Sequence, residues 1–412
     1  MDILTAIFFV VGVAGLVVGA EALVRGASRL AGRTGLSPVV IGLTVVAFGT
    51  SAPELAVSLG AAVRDEADLA VGNVVGSNIA NVLLVLGLSA VVGGGLVVAQ
   101  RIVRIDVPIM VVLSIAVLLL GLDGELHRWE GVAFVAILIV YITWTVRSAR
   151  RSEDAVATEY DDAIDLDDLS SSSALVDVGY VLLGLVLLVV GSSALVEAAT
   201  DIAESLGVSD LVIGLTVVAV GTSLPEIATS VLAAARGQRD LAVGNAVGSN
   251  LFNILAVLGI TAAVSPSSIP IPDSALSLDI PVMIATAVAC LPIFWNGYSL
   301  MRWEGVIFLV YYAGYITYLV LDTNEHDAAA GFETAMLYFV IPLTVLTFAV
   351  AAVRRHRLRA RRRLSLLPTA PHPLEAWPIK SAVRPPVEAW PIKSAARPAP
   401  RQPNPAPGSL AD

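Results

Sequence analysis

The sequence predicts an all-α polytopic membrane protein: two inverted five-helix repeats forming a ten-helix core, plus one extra C-terminal helix. Three observations lead there. The 412 residues are 56% hydrophobic and only 15% charged, where soluble domains are about 25% charged. Long runs without any charge recur along the chain, as membrane-spanning helices require. Two stretches are nearly one stretch written twice: Gly42 to Glu54 reads GLTVVAFGTSAPE, and Gly214 to Glu226 reads GLTVVAVGTSLPE.

The elements follow in order. The first apolar run, Ile3 to Ala20, is one of many and has no small-residue cleavage pattern after it, so it is read as a span and not a cleaved signal. The spans of the first repeat are 3–24, 37–63, 69–92, 105–121 and 130–147. An acidic loop, 148–172, separates them from 174–196, 209–235, 241–264, 279–296 and 303–321. A further apolar stretch, 332–353, has no counterpart; a basic run, Arg354 to Arg363, and a Pro-rich tail follow. The domains are therefore the first repeat 1–147, the loop 148–172, the second repeat 173–321, the helix 332–353 and a disordered tail 354–412. The lone cysteine, Cys290, excludes an internal disulfide framework.

The duplication covers whole repeats. Asp68 to Asn81 (DLAVGNVVGSNIAN) answers Asp240 to Asn253 (DLAVGNAVGSNLFN) at an offset of 172 residues, from 81 to 253 as from 54 to 226. Asp106-Val-Pro-Ile-Met answers Asp279-Ile-Pro-Val-Met, and Arg128-Trp-Glu-Gly-Val answers Arg302-Trp-Glu-Gly-Val. Five spans is an odd number, so the second copy must enter the membrane from the other side. Inverted repeats of this kind are what many secondary transporters alternate around a central site. Charge supports the inversion. Arg25, Arg29 and Arg33 follow the first span, whereas Glu197, Asp201, Glu204 and Asp210 follow the sixth. The basic clusters fall on one face if the N-terminus is outside and the tail cytoplasmic.

The two blocks put polar groups where lipid demands apolar ones. Pro53 and Pro225 lack an amide proton and should break their helices, freeing carbonyls near Gly49 and Ala47. Glu54 and Glu226, with Thr50, Ser51, Thr222 and Ser223, would then be presented together. Ser77 and Asn81, and Ser249 and Asn253, are spaced four apart and share a helical face. Gly72 and Gly76 would let their helix approach a neighbour closely. An ionisable group inside a membrane is expensive and points to function. Every candidate ligand offers oxygen, and the four histidines lie outside the spans. Hard cations want such a set: one Ca²⁺ with roughly six to eight oxygens, or several Na⁺ at divided sub-sites. Asp68, Asp240, Asp106 and Asp279 open spans and are read as helix caps. Glu21, which ends the first span, is read as interfacial.

With these motifs the chain resembles the cation/calcium exchangers, in the sodium/calcium branch of prokaryotic type. The likeness spans residues 1 to about 321 and rests on the paired Gly-Thr-Ser-x-Pro-Glu and Gly-Ser-Asn blocks. It implies exchange of Ca²⁺ for Na⁺ by alternating access, with Glu54 and Glu226 as principal Ca²⁺ ligands. It further implies that Thr50, Ser51, Ser77, Thr222, Ser223 and Ser249 help bind Na⁺ or Ca²⁺, and that Asn81 and Asn253 hold central positions. Some relatives carry Asp where Asn253 stands, so this chain has one negative charge fewer. The expectation is a plasma-membrane antiporter extruding Ca²⁺, with Ca²⁺, Na⁺ and the lipid bilayer as partners, no cofactor and no nucleic acid. Coupling to H⁺ is the alternative, since paired buried carboxylates can carry protons. A cation channel is a further rival. No nucleophile–base constellation suggests an enzyme.

Overall fold

The computed structural model describes residues 3–64, 66–150, 173–205, 219–295 and 297–323. The expected eleventh span, the basic and Pro-rich tail, and most of the acidic loop lie outside these. The described helices are α1 (Ile3–Thr34), α2 (Pro38–Thr50), α3 (Ala52–Val63), α4 (Leu69–Val92), α5 (Ile102–Asp123) and α6 (Arg128–Arg150). They continue with α7 (Ala174–Ser205), α8 (Ala219–Thr222), α9 (Leu224–Ala235), α10 (Arg239–Val264), α11 (Ala275–Trp295) and α12 (Arg302–Thr323). Among the described residues eight helices are long and apolar enough to cross a membrane, and α2 with α3 makes a ninth if the bent pair is one span.

The first helix is longer than its apolar run. At 32 residues it is roughly 48 Å long by the α-helical rise, well beyond the ~30 Å hydrocarbon core. Its last turns carry Arg25, Arg29 and Arg33, spaced four apart, so these arginines sit on a helix and not in a loop. Each finds an acid. Arg29 approaches Asp177 at 4.0 Å and Arg33 pairs with the same carboxylate, which is fully buried at the start of α7. Glu21 pairs with Arg25 and with Arg236, so it is a structural ion-pair residue well inside the helix. Ser28 donates to Gln238 at 2.7 Å. At the other end, Thr5 of α1 donates to Asp201 of α7 at 2.9 Å. The two helices thus run antiparallel along their full lengths. Their backbones nearly touch: a Cβ on Gly191 would lie 2.7 Å from the Leu16 nitrogen, the small-residue contact typical of membrane helices.

Contacts between the two copies are reciprocal. Strand β1 (Leu96–Val97) pairs with β4 (Ser299–Leu300), and β2 (Glu125–Leu126) pairs with β3 (Ile269–Pro270), both antiparallel. Arg302 Nε donates to the Val91 carbonyl at 2.9 Å, and Arg128 Nε donates to that of Ala263 at 3.3 Å. Each pairing recurs with the two copies exchanged, the mark of a two-fold-like interface. Gly248 of α10 packs on α2, where a Cβ would meet Leu43 Cα at 2.8 Å. Among the described residues nothing lies within 4 Å of a Cβ built on Gly72 or Gly76.

The helices α4 and α10 occupy the middle. Of their most apolar windows 78% and 83% is buried, against 22% for α6 and α12. The outer helices expose Val10, Val17, Ile139, Val140, Leu182 and Val310, an apolar surface that lipid would cover. Two expected caps are corrected. Helices α5 and α11 begin about a turn before Asp106 and Asp279, with a π-helical stretch ending at each aspartate. Asp106 instead accepts from Tyr141 at 2.9 Å and faces Arg101 at 3.4 Å, and Asp279 accepts from Tyr315 at 2.8 Å. At the starts of α6 and α12, by contrast, Glu130 and Glu304 do cap, accepting from the amides of His127 (2.8 Å) and Met301 (2.7 Å).

Candidate cation-binding site

The chain bends by 42° between α2 and α3, at Ser51. Pro53 lies in the first turn of α3, where a missing amide proton costs nothing. The Ala47 carbonyl is not released as expected, because Ser51 N donates to it at 3.0 Å. The second copy breaks at Ser223, between α8 and α9, with Pro225 in the first turn of α9. Each break puts its glutamate in the first turn of the following helix. Glu54 and Glu226 are both fully buried.

The two copies cross at this point. Helix α3 packs on the π-helical stretch Asn253–Leu258 of α10, and α9 packs on the equivalent Asn81–Leu86 of α4. Asn81 and Asn253 each begin such a stretch, a helical irregularity frequent at functional sites. Ser51 donates to Glu226 Oε1 at 3.3 Å. Thr50 lies 3.4 Å from Ser249, and Ser223 donates to Ser77 at 3.4 Å. Of the ten expected site residues nine are buried; Thr222 is half-buried.

Several of these groups have no hydrogen-bond partner among the described residues: both carboxylate oxygens of Glu54, Oε2 of Glu226, and both side-chain polar atoms of Asn81 and Asn253. Buried polar atoms are ordinarily paired, and leaving them unpaired costs free energy. Unpartnered carboxylate and amide oxygens are the kind of ligand that a hard cation satisfies. The donor set fits Ca²⁺ or Na⁺ as transported substrates.

Residue-by-residue reading of the motifs missed four members of this region. Asn73 donates to the Glu54 carbonyl at 3.0 Å and to Ser58 at 2.9 Å, while its carbonyl accepts from Thr222 at 3.4 Å. Asn245 donates to Ser230 at 2.9 Å and accepts from Thr50 at 3.2 Å. The signal was present, since 73 and 245, like 58 and 230, recur at the same 172-residue offset.

Known proteins resemble this chain over most of its length. A family model described as sodium/calcium exchanger protein matches residues 4–147 and 176–321. The chain is 35% identical over 349 residues to the inner membrane protein YrbG of Escherichia coli (strain K12), covering 83% of this chain and 99% of that protein. It is 32% identical over 345 residues to the sodium/calcium exchanger MaX1 of Methanosarcina acetivorans, covering 76% and 97%. A solved structure of the sodium-calcium exchanger NCX_Mj, soaked with zero Na⁺ and Ca²⁺, superposes with a TM-score of 0.65 at 30% identity, covering 76% of this chain and 98% of that one.

Proposed function

This chain belongs to the sodium/calcium exchanger protein family, and from that premise we propose a secondary active antiporter that exchanges Ca²⁺ for Na⁺ by alternating access and extrudes Ca²⁺ across the cell membrane. The family is one of ion exchangers and not of enzymes. The observation that carries the reading is the pair of fully buried glutamates, Glu54 and Glu226, which like the buried Asn81 and Asn253 have oxygens without a hydrogen-bond partner among the described residues. Glu54 and Glu226 are the principal Ca²⁺ ligands. The hydroxyls of Thr50, Ser51, Ser77, Thr222, Ser223 and Ser249 complete the sub-sites for Na⁺ or Ca²⁺, with Asn81 and Asn253 at the centre.

The mechanism follows from the electrostatics. Two carboxylates offset the charge of one Ca²⁺. Emptied, they would face each other in a low-dielectric place, and the crossing would be costly. Reorientation therefore requires a bound cation, which enforces exchange and blocks leak. We read α1–α6 as one five-span unit, counting α2 with α3 as one, and the described helices α7–α12 as belonging to its inverted partner. The end bearing Arg25, Arg29, Arg33 and Arg236 faces the cytoplasm, by the positive-inside rule, and the N-terminus lies outside. The acidic loop and the tail then lie in the cytoplasm.

A second reading couples Ca²⁺ to H⁺, because a proton would also neutralise the unpartnered Glu54 carboxylate. Ca²⁺ uptake by proteoliposomes under separate Na⁺ and H⁺ gradients decides between them. Uptake driven by Na⁺ alone supports the proposal. Uptake that follows only the pH gradient replaces it with proton coupling, and downhill flux with no counterflow would favour a channel.

A further inference from the structure

We propose that Glu21 and Arg236 form a latch that holds the arginine-bearing end of the molecule closed, and that the opposite end, built from the matching residues, has none; this rests on the alternating access proposed above.

The two copies place equivalent helices unequally. Helix α1 packs along α9 of the second copy, whereas among the described residues α7 makes no contact of that extent with α3, the equivalent partner in the first. In an inverted repeat that alternates access, the arrangement with these roles exchanged is the other state. Contacts that join α1 to α9 must therefore part when that state forms.

Side chains secure the α1 side. Glu21 pairs with Arg236, directly after α9, as well as with Arg25 of its own helix. Two turns further along α1, Ser28 and Gln238 are hydrogen-bonded at 2.7 Å. At the 172-residue offset, Ser193 answers Glu21, Arg64 answers Arg236 and Glu66 answers Gln238. Arg64 is held by Glu66 of its own connection, through Nε at 3.0 Å and Nη2 at 2.9 Å. Ser193 donates to the Val189 carbonyl of its own helix at 3.0 Å.

The difference lies in two exchanges of residue. Each copy follows its bent helix with an arginine, Arg64 or Arg236. The first copy supplies a carboxylate two residues later, in Glu66. The second has the uncharged Gln238 there, and the carboxylate that meets its arginine stands on α1, as Glu21. An arginine paired within its own connection moves with that connection. An arginine paired to α1 ties together two elements that must separate. With the Glu21 and Arg236 side chains 23% and 42% exposed, the pair adds little to folding stability. A small bias is nevertheless enough to set which of two access states is populated.

The test reads distances between spin labels in the full chain, reconstituted in liposomes without ion gradients, in a Cys290→Ala background. Labels at Thr34→Cys and Ala235→Cys report the latched end, and labels at Ser205→Cys and Val63→Cys the opposite one; all four positions are exposed. Glu21→Gln should raise the ratio of separated to closed molecules at the latched end about two- to fivefold, and should bring the opposite labels together to the same extent. Arg236→Gln should do the same, and the double variant no more than either single, because one interaction is lost in all three. Moving the latch, by Ser193→Glu with Glu66→Gln, should shift both ratios in that same direction with Glu21 intact. Unchanged distances in Glu21→Gln and Arg236→Gln overturn the latch. So do effects that multiply in the double variant, or separation at the latched end alone, which marks local fraying and not a change of access. Should Glu21→Gln not fold, Arg236→Gln, at an exposed position, carries the same decision. No gradient is applied, so these outcomes judge the latch, and coupled exchange is judged separately by ion flux.

Discussion

Ser51 donates a 3.3 Å hydrogen bond to Oε1 of Glu226, so the hydroxyl at the break of one copy touches the carboxylate of the other. The mirror contact is not made. Ser223 donates to Ser77 at 3.4 Å, and among the described residues neither oxygen of Glu54 has a hydrogen-bond partner. The two copies are therefore alike in sequence but unequal in how their glutamates are held.

Both glutamates, however held, are the subject of the first prediction. Glu54→Gln and Glu226→Gln should each abolish Ca²⁺ transport while leaving the protein folded. Gln keeps the size and one carbonyl but removes the charge that offsets Ca²⁺. Without Ca²⁺ each variant should be at least as stable as wild type, because burying a neutral amide costs less than burying a carboxylate. Added Ca²⁺ should stabilise only the wild type, by about 2.7 kcal/mol at a hundred times its dissociation constant. Thermal unfolding in detergent with and without Ca²⁺, beside flux in liposomes, checks both halves. Near-normal flux in either variant would refute the assignment.

Much of this site was legible before any coordinates. The duplicated blocks named Glu54, Glu226 and the hydroxyls because acids in apolar segments are expensive, and expense repeated at a fixed offset is hard to ascribe to chance. Asn73 and Asn245 stood in the same blocks but went unread, because each bonds to a threonine in the other copy. Spacing along one helix says nothing of a partner 149 residues away in sequence. Helix ends were misread for a different reason. Hydropathy marks where lipid ends, not where hydrogen bonding ends, so α1 ran on through Arg25, Arg29 and Arg33. Asp106 and Asp279 looked like caps for the same reason, since the helices begin before their apolar runs do.

The second prediction concerns the α1–α7 contact. Gly191→Val should destabilise the protein by about 1–3 kcal/mol, the usual cost of overpacking. A Cβ there would meet the Leu16 nitrogen at 2.7 Å, and backbone cannot step aside as a side chain could. Thermal unfolding of the purified variant measures the loss. Gly179→Ala is the control, because nothing among the described residues lies within 4 Å of that position; equal melting temperatures for the two variants would mean that the close approach does not matter.

Orientation supplies the third. Asp177, at the start of α7, is grouped with Arg29 and Arg33, whereas the α10–α11 connection is tied to the α5–α6 connection through β2 and β3. The proposed topology puts the first group inside and the second outside. In a Cys290→Ala background, Ser267→Cys should react with an impermeant maleimide on intact cells. Ser173→Cys should react only after permeabilisation. The reverse pattern would invert the topology and, with it, the direction in which each gradient acts.

Coupling is the last prediction. A Na⁺ gradient should drive Ca²⁺ movement, and the exchange should carry net charge. The hydroxyl and amide oxygens around Glu54 and Glu226 are numerous enough for several small cations, but only two carboxylates stand among the proposed ligands. Three Na⁺ against one Ca²⁺ would move one net positive charge per cycle. A membrane potential should then bias the exchange by roughly 2.3 kcal/mol per elementary charge per 100 mV. Asn253 is the residue on which the ratio turns, because an aspartate there would add a third carboxylate and favour a further cation. Ca²⁺ flux in liposomes with imposed Na⁺ and potential gradients should therefore respond to both, and Asn253→Asp should alter the response to potential more than the response to Ca²⁺ concentration. Sodium-driven flux that ignores the potential would keep the antiporter and refute the electrogenic ratio.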